Sequence, residues 1–233
     1  MTSIENQIAV VTGAGRGIGR AIAIELGRLG SKVTLVARSR TELEETAAAI
    51  GKSASVIPAD VRKKEDLQKV FGHVQTALGP VDILVNAAGL GIFGVVADFK
   101  DEDFETLIQT NLRGIFYTCR FVLPSMIERK KGYIINIASI AGKVGSANRA
   151  VYCASKFGVV GFTESVAEEV RQYGIRVSVI CPGSTHTEFS PHEGKSPDKM
   201  LLPEDVAHAV AMLVTSRREA FVSEVLIRPT KKP

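Results

Sequence analysis

The stretch Ile8-Ala9-Val10-Val11-Thr12-Gly13-Ala14-Gly15-Arg16-Gly17-Ile18-Gly19 decides the fold. Its first five residues form a short, nearly continuous apolar run, the pattern of a strand covered on both faces. The glycines that follow break the run at a tight turn, and Arg20 to Leu29 then has helical spacing. The same alternation continues downstream. Further strand-like runs are Val33 to Val36, Val56 to Pro58, Ile83 to Asn86, Tyr133 to Ala138, Val177 to Ile180 and Val222 to Ile227. Between them, Ser39-Arg40-Thr41-Glu42 reads as a capping box for a helix ending near Gly51. Lys63 to Leu78 is amphipathic, Asp101 to about Lys131 reads as one long helix, and Ala150 to Tyr173 is stopped by Gly174. Pro203, followed by Glu204 and Asp205, opens the last helix. Strands alternating with helices predict an α/β chain whose doubly wound, seven-stranded parallel sheet carries helices on both faces.

Composition narrows the class. The chain has 233 residues, 45% apolar and 23% charged, which fits one domain at roughly 100–200 residues per domain. Residues 1–233 are therefore read as a single binding and catalytic unit. The net charge is +4 and the pI about 9.0, but Lys and Arg are dispersed. No nucleic-acid arm is expected. No apolar run approaches the ~18 residues of a membrane span, and the start, MTSIENQ, lacks the pattern of a secretory signal. Cys119, Cys153 and Cys181 are odd in number and far apart, so reduced thiols in a cytoplasmic protein are expected, with no metal site. His73, His186, His192 and His208 form no ligand pattern.

The glycine turn has two readings. It is either a plain tight turn or a cradle in which Gly13, Gly17, Ile18 and Gly19 bring backbone N–H groups to a pyrophosphate at a helix N-terminus. After the second strand, Val36-Ala37-Arg38 offers no acid for a ribose diol. Arg38, with Arg16, can instead meet a 2′-phosphate, which favours NADP(H) over NAD(H). Asp60-Val61 either caps the next helix or touches an adenine.

Tyr152-Cys153-Ala154-Ser155-Lys156 puts Tyr and Lys four apart on one helix face. A free tyrosine titrates near about 10, and a neighbouring ammonium favours its phenolate, so the pair can act as a tuned proton donor. Ser139 lies 13 residues before Tyr152; its hydroxyl either holds a substrate carbonyl or caps a turn. Asn111 is a poor helix former inside a helical stretch, and its ordinary place is a solvent-facing position. Asn86-Ala87-Ala88-Gly89 is either a plain turn or one wall of a cofactor crevice. Cys153 reads as a small buried thiol rather than a nucleophile.

In order and spacing these residues resemble the short-chain dehydrogenase/reductase superfamily over roughly residues 7 to 215. The resemblance rests on Thr12, Gly13, Gly17 and Gly19, on Asn86-Ala87-Ala88-Gly89, Asn111 and Ser139, on Tyr152 with Lys156, and on Pro182-Gly183 followed by Thr187. It implies a Rossmann fold and an NADP(H)-dependent interconversion of a carbonyl and an alcohol. Tyr152 would be the acid/base, Lys156 would lower its pKa and bind the nicotinamide ribose, and Ser139 would orient the carbonyl. Asn111 would hold a water linking Lys156 to solvent. Pro182, Gly183 and Thr187 would touch the carboxamide. It also implies a homo-oligomer, a tetramer or dimer, with the Tyr–Lys helix at an interface. Within the superfamily the chain looks most like 3-oxoacyl-(acyl carrier protein) reductases and small carbonyl reductases. The segment Ser223 to Thr230 departs from that pattern.

Two other functions share parts of this pattern: an NADP(H)-sensing protein without turnover, and a nucleotide-dependent methyltransferase on a related fold. Neither needs Tyr152, Lys156 and Ser139 together. Ser184 to Leu202 is long for a strand–helix connection and is read as a substrate lid. Arg129, Lys130, Lys131 and Arg171 end helices, where cations offset the macrodipole; they are also candidates for docking an acidic acyl carrier.

Overall fold

The computed structural model describes residues 2–189 and 197–231. Seven strands form one parallel sheet: β1 (Ile8–Thr12), β2 (Lys32–Ala37), β3 (Ala54–Pro58), β4 (Ile83–Asn86), β5 (Gly132–Ile137), β6 (Ile175–Pro182) and β7 (Glu224–Ile227). Their order is β3-β2-β1-β4-β5-β6-β7. The chain winds outward from β1 to β3, then returns to the other side of β1 to lay down β4. The crossovers on either side of β1 and β4 diverge at that reversal and leave a crevice at the carboxyl ends of the strands.

The helices are α1 (Gly17–Arg28), α2 (Arg40–Ile50), α3 (Lys64–Ala77), α4 (Asp101–Ile108), α5 (Gly114–Arg129), α6 (Ala150–Val170) and α7 (Pro203–Thr215). Alternate strand residues feed two cores. Val10, Leu84, Ile134 and Val177 pack with Val70, Phe71, Met126 and Val166 of α3, α5 and α6 on one face. Ala9, Val11, Val85 and Ile135 pack with Ile22, Leu26, Val210 and Leu213 of α1 and α7 on the other. Burial on both faces explains why the strands read as unbroken apolar runs rather than alternating ones.

Strand and helix ends shift by one to three residues in several elements, and three differences from the sequence reading bear on the site. α1 begins at Gly17 rather than Arg20, so Gly17, Ile18 and Gly19 occupy its first turn. Only half of the expected capping box forms: Ser39 Oγ accepts the Glu42 N–H at 3.3 Å, while the Glu42 carboxylate lies against Gly15. The long helix is split by a π-helical turn at Gln109–Arg113. Such a turn adds a residue to one coil of the ladder, and here it draws Asn111 inward, fully buried.

Candidate active site

The glycine turn is shaped by close approach. Gly13 has φ of 70°, and a Cβ there would lie 2.7 Å from the Ala88 backbone nitrogen, so a side chain would force β1 and β4 apart. Gly17, at φ 52°, faces the Thr187 side chain from the segment after β6; a Cβ would sit 3.2 Å from Thr187 Cγ2. The N-terminal end of α1 has neither an acidic residue in its first turn nor a side-chain cap, so nothing within the helix itself offsets its positive end.

This turn floors a cavity of about 960 Å³ along the carboxyl edge of the sheet. At one end lie Gly13, Arg16, Gly17, Ile18 and Gly19, with Arg38, Asp60 and Val61. Arg16 and Arg38 are exposed and have no ion-pair partner among the described residues. Asp60 does not cap α3 by itself. It accepts from the Arg62 backbone N–H at 3.0 Å and pairs with the Arg62 guanidinium at 2.6 Å. Burial pushes the Asp60 carboxyl up, but the Arg62 contacts, with a contribution from Arg38, outweigh it and hold it low.

Along the wall come Ala87, then Ser139, Tyr152 and Lys156, then Pro182, Gly183 and Thr187. Beyond β7, Pro229 backs Gly183: its Cδ lies 3.0 Å from where a Cβ would be, and the Gly183 N–H donates to Ile227 O at 2.8 Å. Ser139 follows β5 and takes the capping position while lining the cavity. Its Oγ accepts the Ala141 N–H at 3.1 Å, capping a short turn, and its hydroxyl also acts on the Tyr152 phenol, opposing the rise in its pKa.

Tyr152 and Lys156 rise from one face of α6, both buried. Lys156 Nζ donates to Ile137 O at 3.1 Å and sits 6.0 Å from the Tyr152 ring centroid. Burial drives the Lys156 pKa down to about 8. The Tyr152 pKa is raised rather than lowered. Burial dominates it, and the opposing influences are the Ser139 hydrogen bond and the charge of Arg149, not the Lys156 ammonium. The Lys156 ammonium contributes none of the expected lowering here, because burial discharges that amine before the phenol titrates.

Two of the predicted residues do not line the cavity. Asn86 is buried beneath it: its Nδ2 donates to Asn136 Oδ1 at 2.9 Å and its Oδ1 accepts from Thr118 at 2.8 Å. Ala87, Ala88 and Gly89, just after it, do form the wall. Asn111 clamps the loop after β4. Its Oδ1 accepts the Leu90 N–H at 2.9 Å, and its Nδ2 donates to Leu90 O at 3.0 Å and Ser155 Oγ at 3.1 Å. The solvent-facing position expected for an isolated Asn is thus ruled out.

Phe93, Phe189 and Arg149 also line the cavity and were not singled out in the sequence, and Glu42, read there only as a helix cap, lines it too. Phe93 meets Tyr152 edge to face at 5.3 Å, and Phe189 lies 6.1 Å from it. Arg149 stands three residues before Tyr152, a spacing that shares a helix face and is the one available signal. The two loop aromatics have no such signal. Of the expected lid, the ends are joined: Thr185 bridges Leu201 and the His186 N–H donates to Leu201 O at 2.8 Å. Its middle, residues 190–196 with Pro191 and His192, lies outside the described residues.

The basic residues considered for carrier docking lie elsewhere. Arg129 closes α5 just before β5 begins, at the amino edge of the sheet. It donates to Asp82 Oδ1 at 3.0 Å and to Val81 O at 2.6 Å, and Lys131 pairs with the same carboxylate at 2.9 Å. Arg171 pairs with Glu168. A six-residue strand at ~3.3 Å per residue puts about 20 Å between that edge and the cavity. Among the described residues no helix is long and apolar enough to cross a membrane, and no group of three or more His, Cys, Asp or Glu could hold a metal. All three cysteines are buried and free.

The parallel order, the reversal at β1/β4 and the glycine turn define a Rossmann-type fold with its crevice at the carboxyl edge. The chain belongs to the short chain dehydrogenase family, whose model matches residues 7–197. An uncharacterized oxidoreductase of Staphylococcus aureus (strain MRSA252) is 35% identical over 230 residues, covering 98% of this chain and 100% of the relative. One of Staphylococcus epidermidis is 33% identical over 229 residues, again covering 98% and 100%. Two solved structures are similar. A metagenomic short-chain oxidoreductase in complex with NADP shares 40% identity with a TM-score of 0.88, covering 99% of this chain and 100% of that one. A variant of actinorhodin polyketide ketoreductase with NADPH shares 34% identity and the same TM-score, covering 97% of each chain.

Proposed function

We propose that this oxidoreductase uses NADP(H) to interconvert a small-molecule carbonyl and its alcohol. The observation that carries this reading is the placement of Ser139, Tyr152 and buried Lys156 in one cavity with a glycine turn and two unpaired arginines. The residues fit the cofactor. Gly13 and Gly17 both hold positive φ in a turn with no side chain at either position, so phosphates can approach backbone N–H groups. Arg38 and Arg16 suit a 2′-phosphate. Lys156 has three donors and spends one on Ile137 O, leaving others for ribose hydroxyls. Pro182, Gly183 and Thr187 suit the carboxamide, and Val61 with Asp60 the adenine. When bound, the cofactor supplies the hydride chemistry.

The chain's own work is proton transfer and alignment. Tyr152 keeps its proton near neutrality, because burial raises its pKa; in this reading it donates that proton to the carbonyl oxygen, with the Ser139 hydroxyl holding the same oxygen. Asn111 fixes Leu90 and so the wall opposite Lys156. A non-catalytic sensor would have no use for this Ser–Tyr–Lys grouping. Of the four cations read as candidates for acyl-carrier docking, Arg129, Lys131 and Arg171 are ion-paired at the far edge, which favours a small substrate over a carrier-linked 3-oxoacyl chain. The test is oxidation of NADPH, with NADH as control, against small diketones and an acetoacetyl thioester. Tyr152→Phe should lose about 10²–10⁴ in turnover while binding NADPH as the parent does by fluorescence titration. Retained turnover in that variant would overturn the assignment.

A further inference from the structure

The catalytic end of the cavity carries a cation that proton transfer does not use. Arg149 immediately precedes α6, and its guanidinium lies 4.9 Å from the Phe93 ring centroid; that ring in turn meets Tyr152. Among the described residues no carboxylate pairs with Arg149. The carboxylates lining the cavity are Glu42, Asp60 and Glu188. Glu42 lies against Gly15, Glu188 is near Gly17, and Asp60 is held by Arg62, so all three belong to the glycine-turn end. The α6 helix has no acid in its first turn and no side-chain cap at Arg149, and its positive end adds to the same field. Leu90, Phe93, Ile140, Val144, Phe189 and Met200 make most of the remaining wall apolar, with the Ser139, Ser146 and Tyr152 hydroxyls among them.

A largely apolar end of the cavity in which, among the described residues, the Arg149 guanidinium has no ion-pair partner suits an anion on an apolar body, since Arg matches a carboxylate with two parallel hydrogen bonds. We propose that the carbonyl substrate is an oxo acid: Arg149 holds its carboxylate, Phe93 and Phe189 cover its body, and Tyr152 faces its ketone. Arg149 is thus the residue that selects an acid over a neutral ketone or ester. The inference rests on the carbonyl-reducing reading above and names the substrate class of that site.

The test compares 2-oxo-2-phenylacetate with its ethyl ester, which share the body and the reacting carbonyl. With NADPH and the whole chain, kcat/KM for the acid should exceed that for the ester by about tenfold or more. The acid-to-ester ratio should fall about tenfold in Arg149→Gln and be kept in part by Arg149→Lys. Both ketones report on the same Tyr152, so a change in its acidity cancels in the ratio. Calorimetric binding of the two ketones to NADPH-loaded Tyr152→Phe protein reads the preference without turnover. If neither ketone is reduced but the acid binds in an Arg149-dependent way, the proposed reaction falls and this inference stands. An acid bound no better than its ester by the parent, or a preference intact in Arg149→Gln, overturns it.

Discussion

Lys156 shows how one side chain's surroundings set its chemistry. It is only 4% exposed, and burial alone drives its pKa down to about 8, since a low-dielectric site penalises the ammonium. Below that value the free protein carries the charge; above it the amine is neutral. NADPH affinity should therefore weaken as pH rises through about 8. In Lys156→Met, which cannot titrate there, the affinity should be lower and flat across the same range. Fluorescence titration from pH 6.5 to 9.5, values chosen as about 1.5 units either side of that midpoint, reads both; a parallel slope in the variant would assign the titration to another group. Lys156 was legible from its spacing to Tyr152. Its turn toward the β5 carbonyl was not, because a tertiary hydrogen bond leaves no trace in sequence spacing.

Among the elements, β4 and β5 are joined by more than their ladder. Asn86 donates to Asn136 across the pair, and Asn136 donates to Thr163 of α6 at 2.9 Å, so this buried chain of polar groups ties the sheet to the Tyr–Lys helix. Asn136→Ala would leave Asn86 Nδ2 without its oxygen partner and Thr163 without its donor. Unmet buried polar groups cost about 1–3 kcal/mol, and urea unfolding should show a loss of that size. An unchanged midpoint would mean that the network relaxes freely. Every strand was legible, since runs such as Val10-Val11 and Ile134-Ile135 are apolar on both faces. The π-helical turn was not: one extra residue at Gln109–Arg113 barely disturbs a 3.6-residue period over thirty positions. Nor were Phe93 and Phe189, because loop aromatics declare their neighbours only once the chain has closed.

Across the whole molecule, the two edges of the sheet do different work. The carboxyl edge holds the cavity, and the amino edge is fastened by Asp82, which pairs with Arg129 and Lys131 and accepts the Ile8 N–H at 3.1 Å. Burial pushes the Asp82 carboxyl up, but Lys131, the Ile8 amide and Arg129 outweigh it, so its folded pKa lies below the usual value. The stabilisation is present above the unfolded value of about 3.9 and is lost as pH falls through the lower folded value. Asp82→Asn should cost about 1–3 kcal/mol at neutral pH and flatten the acid limb of the stability curve below about pH 4; thermal melts across that range give both. A handle for purification follows the same division. Thr2 hydrogen-bonds to Thr215 at the edge remote from the cavity, so a tag fused ahead of it leaves the chamber unobstructed. Pro229 rests against Gly183 on the chamber wall, so a tag carried on that side sits closer to the cavity.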